Sequence, residues 1–315
     1  MLGVTADAVS AALAVLGGIA ERDVPLASFT TYRVGGPAAV LVRPRSVEDL
    51  GRVAEASVAS GLPILTVGRG SNLLVADAGY PGLAVLSLDL DHEVRIDSSA
   101  AVVEAGAGAL LPVIARQTVG AALSGFEWAV GVPGSLGGAV RMNAGGHGSD
   151  IAASLIDVQV VDLSASGADP IVREAAALDL GFRSSNLEST DFVISARLRL
   201  APGDREVSEE LLHEIVHWRR EHQPGGQNAG SVFVNPVPGE VASGALIDGL
   251  GLRGLRHGTA SVSEKHANFI QADDGGSADD VYALMQIVRE RVLAETGYDL
   301  RTEIRLVGFE EVADG

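Results

Sequence analysis

The sequence predicts an α+β fold built around glycine-rich ligand loops, on three observations. Short apolar runs of strand length alternate irregularly with segments of helical periodicity, without the strict strand–helix–strand repeat of a parallel sheet. Residues 126–148 interleave repeated glycines and a proline with apolar residues, a composition unsuited to a helix or strand interior, and glycine amides can approach a ligand closely. A second glycine segment, Gly68-Arg69-Gly70-Ser71-Asn72, follows the apolar run 63–67. Two such loops point to one long phosphate-bearing ligand, although each alone fits a structural turn equally well.

In chain order, a helix is expected over about residues 5–20 and a strand over 39–42. Ser46-x-x-Asp49 then opens a helix to about Ser60 in the manner of a capping box. Strands follow at 63–67, 83–88, 93–97 and 101–105, a helix at 110–122, and strands at 156–163 and 192–200. Pro202-Gly203-Asp204 reads as a boundary. Beyond it come a helix over 206–222, a glycine-rich turn at 224–230, an extended piece at 231–236, a short helix at 243–250 and a strand at 266–271. A helix from Ser277 to about Glu295, stopped by Gly297, and a strand at 300–307 complete the chain.

Composition narrows the function classes. With 315 residues, 47% of them apolar, the chain can bury a large core. A net charge of −18 disfavours nucleic acid and acidic lipid, which bind through clustered lysine and arginine. No run of about 18 apolar residues is present to span a bilayer, and the N-terminus lacks a basic signal-peptide region. A cytoplasmic protein without membrane insertion is expected, with no thiol chemistry because cysteine is absent. An anionic ligand would need a local positive island, so single cations carry information. Lys265 is the one lysine of the chain, and a compact ammonium does not replace a planar guanidinium.

Several motifs fail on inspection. Gly68-Arg69-Gly70 begins like a dinucleotide fingerprint but lacks the third glycine and a following helix, and no phosphate-loop motif with its lysine occurs. His213-Glu214-Ile215-Val216-His217 satisfies a zinc-protease spacing. Helical projection, however, puts Val207, Leu211, Leu212, Ile215 and Trp218 on the buried side and both histidines among Glu209, Glu210, Arg220 and Glu221, so no metal site is expected. On the last strand, period-two alternation sets Arg301, Glu303 and Arg305 on one face, either an anion contact or a solvated edge. In 230–236 an extended backbone sends Ser231 and Asn235 to one side, and Ser231, with no nucleophile motif around it, suits a proton donor.

Taken in order, Thr30-Thr31-Tyr32-Arg33-Val34-Gly35-Gly36-Pro37-Ala38, Gly68–Asn72, Gly131-Val132-Pro133-Gly134-Ser135-Leu136-Gly137-Gly138 and Gly181-Phe182-Arg183-Ser184-Ser185 form a series. It continues in Asn228–Pro236, Ser263–Phe269 and Glu303-Ile304-Arg305, and the whole resembles the UDP-N-acetylenolpyruvoylglucosamine reductases, flavoenzymes of bacterial peptidoglycan precursor synthesis. The resemblance implies a vanillyl-alcohol-oxidase-like FAD fold: an N-terminal helix over 1–24, two FAD-holding subdomains at about 25–90 and 91–202, and a C-terminal α+β domain over 203–315 for the sugar nucleotide. It implies FAD contacts at Gly68, Arg69, Gly70, Ser71, Asn72, Gly131, Pro133, Gly134, Ser135, Gly137, Gly138, Asn143 and Gly145. NADPH would reduce the flavin and leave, and the enolpyruvyl ether of UDP-N-acetylglucosamine would then take hydride at C3 to give UDP-N-acetylmuramate, a step serving cell wall biogenesis, cell shape and division.

By the family pattern Ser231 is the proton donor at C2, Glu303 sits across the substrate and Arg183 stabilises the enolate, while Asn235, Lys265 and Arg305 are substrate contacts. Phe182 stands where the family usually has a tyrosine, and the segment between Arg183 and Ser231 is too short for the tyrosine-bearing lid of some members. The protein is expected to act as a monomer. The alternative reading is another FAD-dependent oxidase of the same fold, reoxidised by dioxygen.

Overall fold

The computed structural model describes residues 5–165, 167 and 169–309. Backbone proximity divides the chain into two interleaved units. The first takes the segment up to Asp23, Ala39–Arg69 and Pro81–Arg219, and the second takes Val24–Ala38, Gly70–Tyr80 and the chain from Arg220. The expected linear boundary at 202–204 falls inside the first unit. The physical reason is that helix 205–222 inserts Leu212 and Ile215 into that unit's core and bonds its Ser208 hydroxyl to Glu127 at 2.7 Å.

In the first unit, helices α1 (Ala6–Leu16) and α2 (Val47–Ser60) lie over a four-stranded sheet of order 20–25, 37–42, 80–86, 64–67. The Ser46 hydroxyl accepts the Asp49 N–H at 3.1 Å and Gly61 turns left-handed at φ +68°, so both ends of α2 close as the sequence suggests. Arg52 on α2 donates to the Val15 and Leu16 carbonyls at the end of α1, where cations suit the helix dipole. A five-stranded antiparallel sheet of order 171–174, 155–162, 191–199, 102–106, 94–97 forms the other half. Its face packs on α3 (Leu111–Gly120), Phe126 and Trp128.

The glycine segment contains a helix that its composition argued against, α4 (Leu136–Arg141). Glycine allows it: Gly137 lies so close to strand 102–106 that a Cβ would come within 2.9 Å of the Ala107 Cβ, and its N–H bonds the Ala107 carbonyl at 2.9 Å. Strands 20–25 and 171–174 were also unforeseen. Both have mostly polar or exposed residues at the edge of their sheets, where alternation is weak.

Helix α5 (Arg205–His222) runs from the first unit into the second. It buries Ser208, Leu212 and Ile215 but exposes Val207, Leu211 and Trp218, so the expected apolar face is narrower than projected. In the second unit α6 (Ser243–Gly249) and α7 (Ala278–Thr296) accompany a three-stranded sheet of order 256–257, 260–262, 270–272. The strand expected at 266–271 is thus shortened to 270–272, and that at 300–307 to 305–307. Val281, Leu284, Met285, Val288 and Val292 bury one stripe of α7 against Val262, Ile270, Val232, Phe233, Ile304 and Tyr32. The Asp77 carboxylate accepts the Ala278 N–H at 2.9 Å and so fixes the start of α7 from a remote loop.

Candidate functional site

The first unit contributes a cradle. Gly68 follows strand 64–67, and a Cβ there would collide with the Ser135 hydroxyl. Ser135 heads α4 without capping it, and its buried Oγ has no hydrogen-bond partner; neither does the buried Thr66 hydroxyl two residues before Gly68. Orphaned hydroxyls cost stability unless a ligand or water completes them. Two of them beside a Cβ-free approach fit a phosphate-bearing cofactor. Pro133 and Gly138 lie exposed and Gly134 half-exposed around this cradle, with Arg69 exposed beside it.

Other expected cofactor contacts have protein partners. Gly131 is closed in by Ile215, His147 and Arg219, each within 3.0–3.3 Å of where its Cβ would stand, and Gly145 by the Ser149 carbonyl at 2.6 Å across a tight hairpin. Asn143 is buried at φ +38°. Its amide donates to the Gly181 carbonyl at 3.0 Å and to Asp150 at 3.1 Å, and its side-chain oxygen accepts the Ala152 N–H at 2.9 Å. The side chain of Asn143 is therefore engaged within the protein, and so is its backbone, whose N–H bonds the Val140 carbonyl at 3.2 Å and whose carbonyl accepts from Arg183 at 3.5 Å. Arg183 sits at φ +53° in the turn closed by Gly181 and Ser184, donates to the Gly145 carbonyl at 2.9 Å, and lies 5.0 Å over the exposed Phe182 ring. Arg183 and the 143–145 loop thus form one locked assembly in this unit.

The second unit brings the remaining residues together through backbone pairing. Thr31 N–H bonds Gly70 O at 3.2 Å, and Asn72 accepts from Arg305 N–H at 2.9 Å while its amide donates to the Glu303 carbonyl at 3.3 Å. Glu303 N–H in turn reaches the Val232 carbonyl at 2.8 Å, and Phe233 bridges Thr302. Gly70-Ser71-Asn72, Glu303, Arg305 and the Ser231–Asn235 segment are therefore consecutive rungs of one ladder. Ser231 is half-buried, and its hydroxyl has no bond to any described residue. Asn235 accepts the Ser243 N–H at 3.1 Å, which opens α6 and leaves its amide free to donate. Arg305 is exposed beside Tyr80, whose phenol burial pushes up to about 12 against the pull of that guanidinium. Lys265 donates its ammonium to the Arg220 carbonyl in the last turn of α5.

Sequence reasoning missed the residue that holds this ladder. Asn268, buried, accepts the Phe233 N–H at 3.0 Å and donates to the Phe233 carbonyl at 2.8 Å, while its own carbonyl accepts the Val232 N–H. The clamp joins positions 35 residues apart, for which a linear motif gives no signal. Thr31, whose N–H bonds Gly70, and Tyr32 add two buried hydroxyls without partners among the described residues. His213 and His217 both lie exposed on α5, as their projection implied, and among the described residues no group of three metal-ligating side chains occurs.

Comparison with known proteins gives these observations a context. Residues 222–307 match the family model described as UDP-N-acetylenolpyruvoylglucosamine reductase, C-terminal domain, and residues 37–168 match an FAD binding domain model. A protein named UDP-N-acetylenolpyruvoylglucosamine reductase from Synechococcus sp. (strain CC9311) is 39% identical over 298 residues, covering 93% of this chain and 95% of that protein. One of the same name from Gloeobacter violaceus is 41% identical over 293 residues, covering 91% and 96%. The crystal structure of UDP-N-acetylenolpyruvylglucosamine reductase from Thermus caldophilus superposes with a TM-score of 0.77 at 34% identity, covering 91% of this chain and 98% of that one. The expected fold, an FAD-binding α+β region followed by a C-terminal domain, is borne out by these matches.

Proposed function

Because the chain belongs to the UDP-N-acetylenolpyruvoylglucosamine reductase family and is an FAD-dependent oxidoreductase, we propose that it reduces the enolpyruvyl ether of UDP-N-acetylglucosamine to UDP-N-acetylmuramate, with NADPH as the electron source. Both substrates are water-soluble nucleotides, and the proposed compartment is the cytoplasm. Bound FAD would supply hydride chemistry, accepting from the nicotinamide and delivering to the ether. Gly68, Ser135 and the Gly70–Asn72 loop are the residues that would hold it, through the unpartnered Ser135 hydroxyl and the Cβ-free backbone.

Hydride arriving at C3 leaves negative charge on C2 and the adjoining carboxylate, so the protein must present a cation there and a proton for C2. Arg183 is the cation, held by the Gly145 carbonyl on a turn its left-handed backbone makes rigid. Ser231 is the acid, and its hydroxyl proton goes to C2. Glu303, paired through its N–H with Val232, stands on the rung next to Ser231 and orients or resupplies that proton. Asn235 donates its amide to the substrate, and Arg305 and Lys265 contribute charge towards its anionic groups.

The observation that carries this reading is the Ser231 hydroxyl, unbonded among the described residues, next to Val232, whose carbonyl accepts the Glu303 N–H two residues before the strand that opens at Arg305. Ser231→Ala separates the two halves of the reaction. Flavin reduction by NADPH, followed by stopped-flow absorbance at about 450 nm, keeps its wild-type rate, because it delivers no proton to the sugar ether. Reoxidation by the enolpyruvyl substrate slows at least ~10²-fold, the usual cost of losing a positioned acid. Equal slowing of both halves, or of neither, would overturn the assignment.

A further inference from the structure

Both tryptophans of the chain, Trp128 and Trp218, line a single cavity of about 510 Å³ in the first unit. Its wall is completed by Gly125, Glu127, His147, Ser149, Leu211, Glu214 and Ile215. That volume lies within the range of small-molecule sites. The His147 ring stands edge-on to Trp218 at 5.2 Å, and Trp218 and Leu211 are 44% and 41% exposed, so aromatic and aliphatic surface of the wall meets solvent.

The chemistry of the wall is one-sided. Its only formally charged residues are Glu127 and Glu214, and burial beside Arg219 holds the His147 imidazole below its ordinary value, hence neutral at pH 7. Arg219 approaches Gly131 as closely as His147 does and acts on its imidazole, but does not line the cavity. Glu127 is 7% exposed and accepts two hydrogen bonds, from the Gly125 N–H at 2.8 Å and the Ser208 hydroxyl at 2.7 Å, yet has no cationic partner among the described residues. Buried carboxylates are ordinarily paired with a cation. The Trp128 indole N–H, also buried, has no acceptor. Aromatic faces with carboxylates behind them are the arrangement that attracts organic cations, through the ring quadrupole and the charge together.

We infer that this cavity is a binding site for a small organic ammonium ion. It does not rest on the reductase reading and is tested without turnover. Because both tryptophans face the cavity, titrating the holoprotein with choline at constant ionic strength gives a saturable change in tryptophan emission, with a midpoint of about 1 mM or below. The neutral isostere 3,3-dimethylbutanol requires ~10-fold more. Trp218→Phe, which keeps an aromatic face, stays within about 3-fold of wild type, whereas Trp218→Leu and Glu214→Gln raise the midpoint ~3- to 30-fold. Both positions are exposed, and flavin content checks that the variants remain folded. A change that never saturates, equal binding of the isostere, or an unaltered midpoint in Glu214→Gln would each overturn the inference.

Discussion

An ammonium has three N–H donors, and Lys265 uses one of them on the Arg220 carbonyl, in the turn where α5 ends and its dipole is negative. Arginine 253 frames the same segment, donating to the Glu264 and Lys265 carbonyls at 2.7 and 3.0 Å while its other nitrogens hold Asp248. Lys265 is thus aimed by its backbone as well as by its helix contact, with two donors left for a nucleotide phosphate or carboxylate. A contact of that kind contributes about 1–3 kcal/mol. Lys265→Ala is accordingly expected to raise a Michaelis constant roughly 5- to 150-fold with flavin stoichiometry unchanged. A lysine that only caps α5 would leave both Michaelis constants alone and appear solely as a fall in melting temperature.

At the scale of elements, α5 shows how one hydrogen bond sets which face is buried. Its apolar residues would allow a stripe through Val207, Leu211 and Trp218, but Ser208, Leu212 and Ile215 are buried instead, because the Ser208 hydroxyl is drawn to the Glu127 carboxylate. Removing that hydroxyl leaves a buried carboxylate oxygen short of a donor, which costs about 1–3 kcal/mol. Ser208→Ala should therefore lower the thermal midpoint by several degrees, roughly 2–4 °C per kcal/mol. A shift under about one degree would mean that the helix faces are set by apolar packing alone. The pair spans 81 positions and neither residue belongs to a motif, so only the oddity of a glutamate within Phe126–Val130 hinted at it. What the sequence made legible was local: the N-cap of α2 at Ser46 and the stop of α7 at Gly297. Illegible were the edge strands, whose polar residues carry no period, the six-residue helix inside a glycine run, and Asn268, whose clamp exists only once strands far apart in sequence are paired.

For the whole molecule the dominant electrostatic fact is a charge of −18 with an isoelectric point near 4.7, so self-repulsion relaxes as the medium is acidified from pH 8 towards 5. Imidazoles oppose this. His266, half-buried between Gly244 and Phe269, accepts the Asn268 N–H on Nδ1 at 3.2 Å, and burial together with the Arg253 charge and the nearby His222 holds it below the ordinary value of 6.5. In the unfolded chain the same imidazole titrates near that ordinary value, so between the two values the unfolded state binds more protons and stability falls as pH falls. Above the unfolded value neither state is protonated and the effect vanishes. Because the general repulsion and His147 act equally on both proteins, the difference in melting temperature between wild type and His266→Gln isolates this one group. That difference should be constant above about pH 7.5 and then move steadily against the wild type as pH drops through 6.5, levelling once the folded imidazole is also charged. Calorimetric scans from pH 8 to 5 measure it; a difference that is flat across the range, or that moves in favour of the wild type on acidification, would show that the folded site accepts the proton as readily as water does.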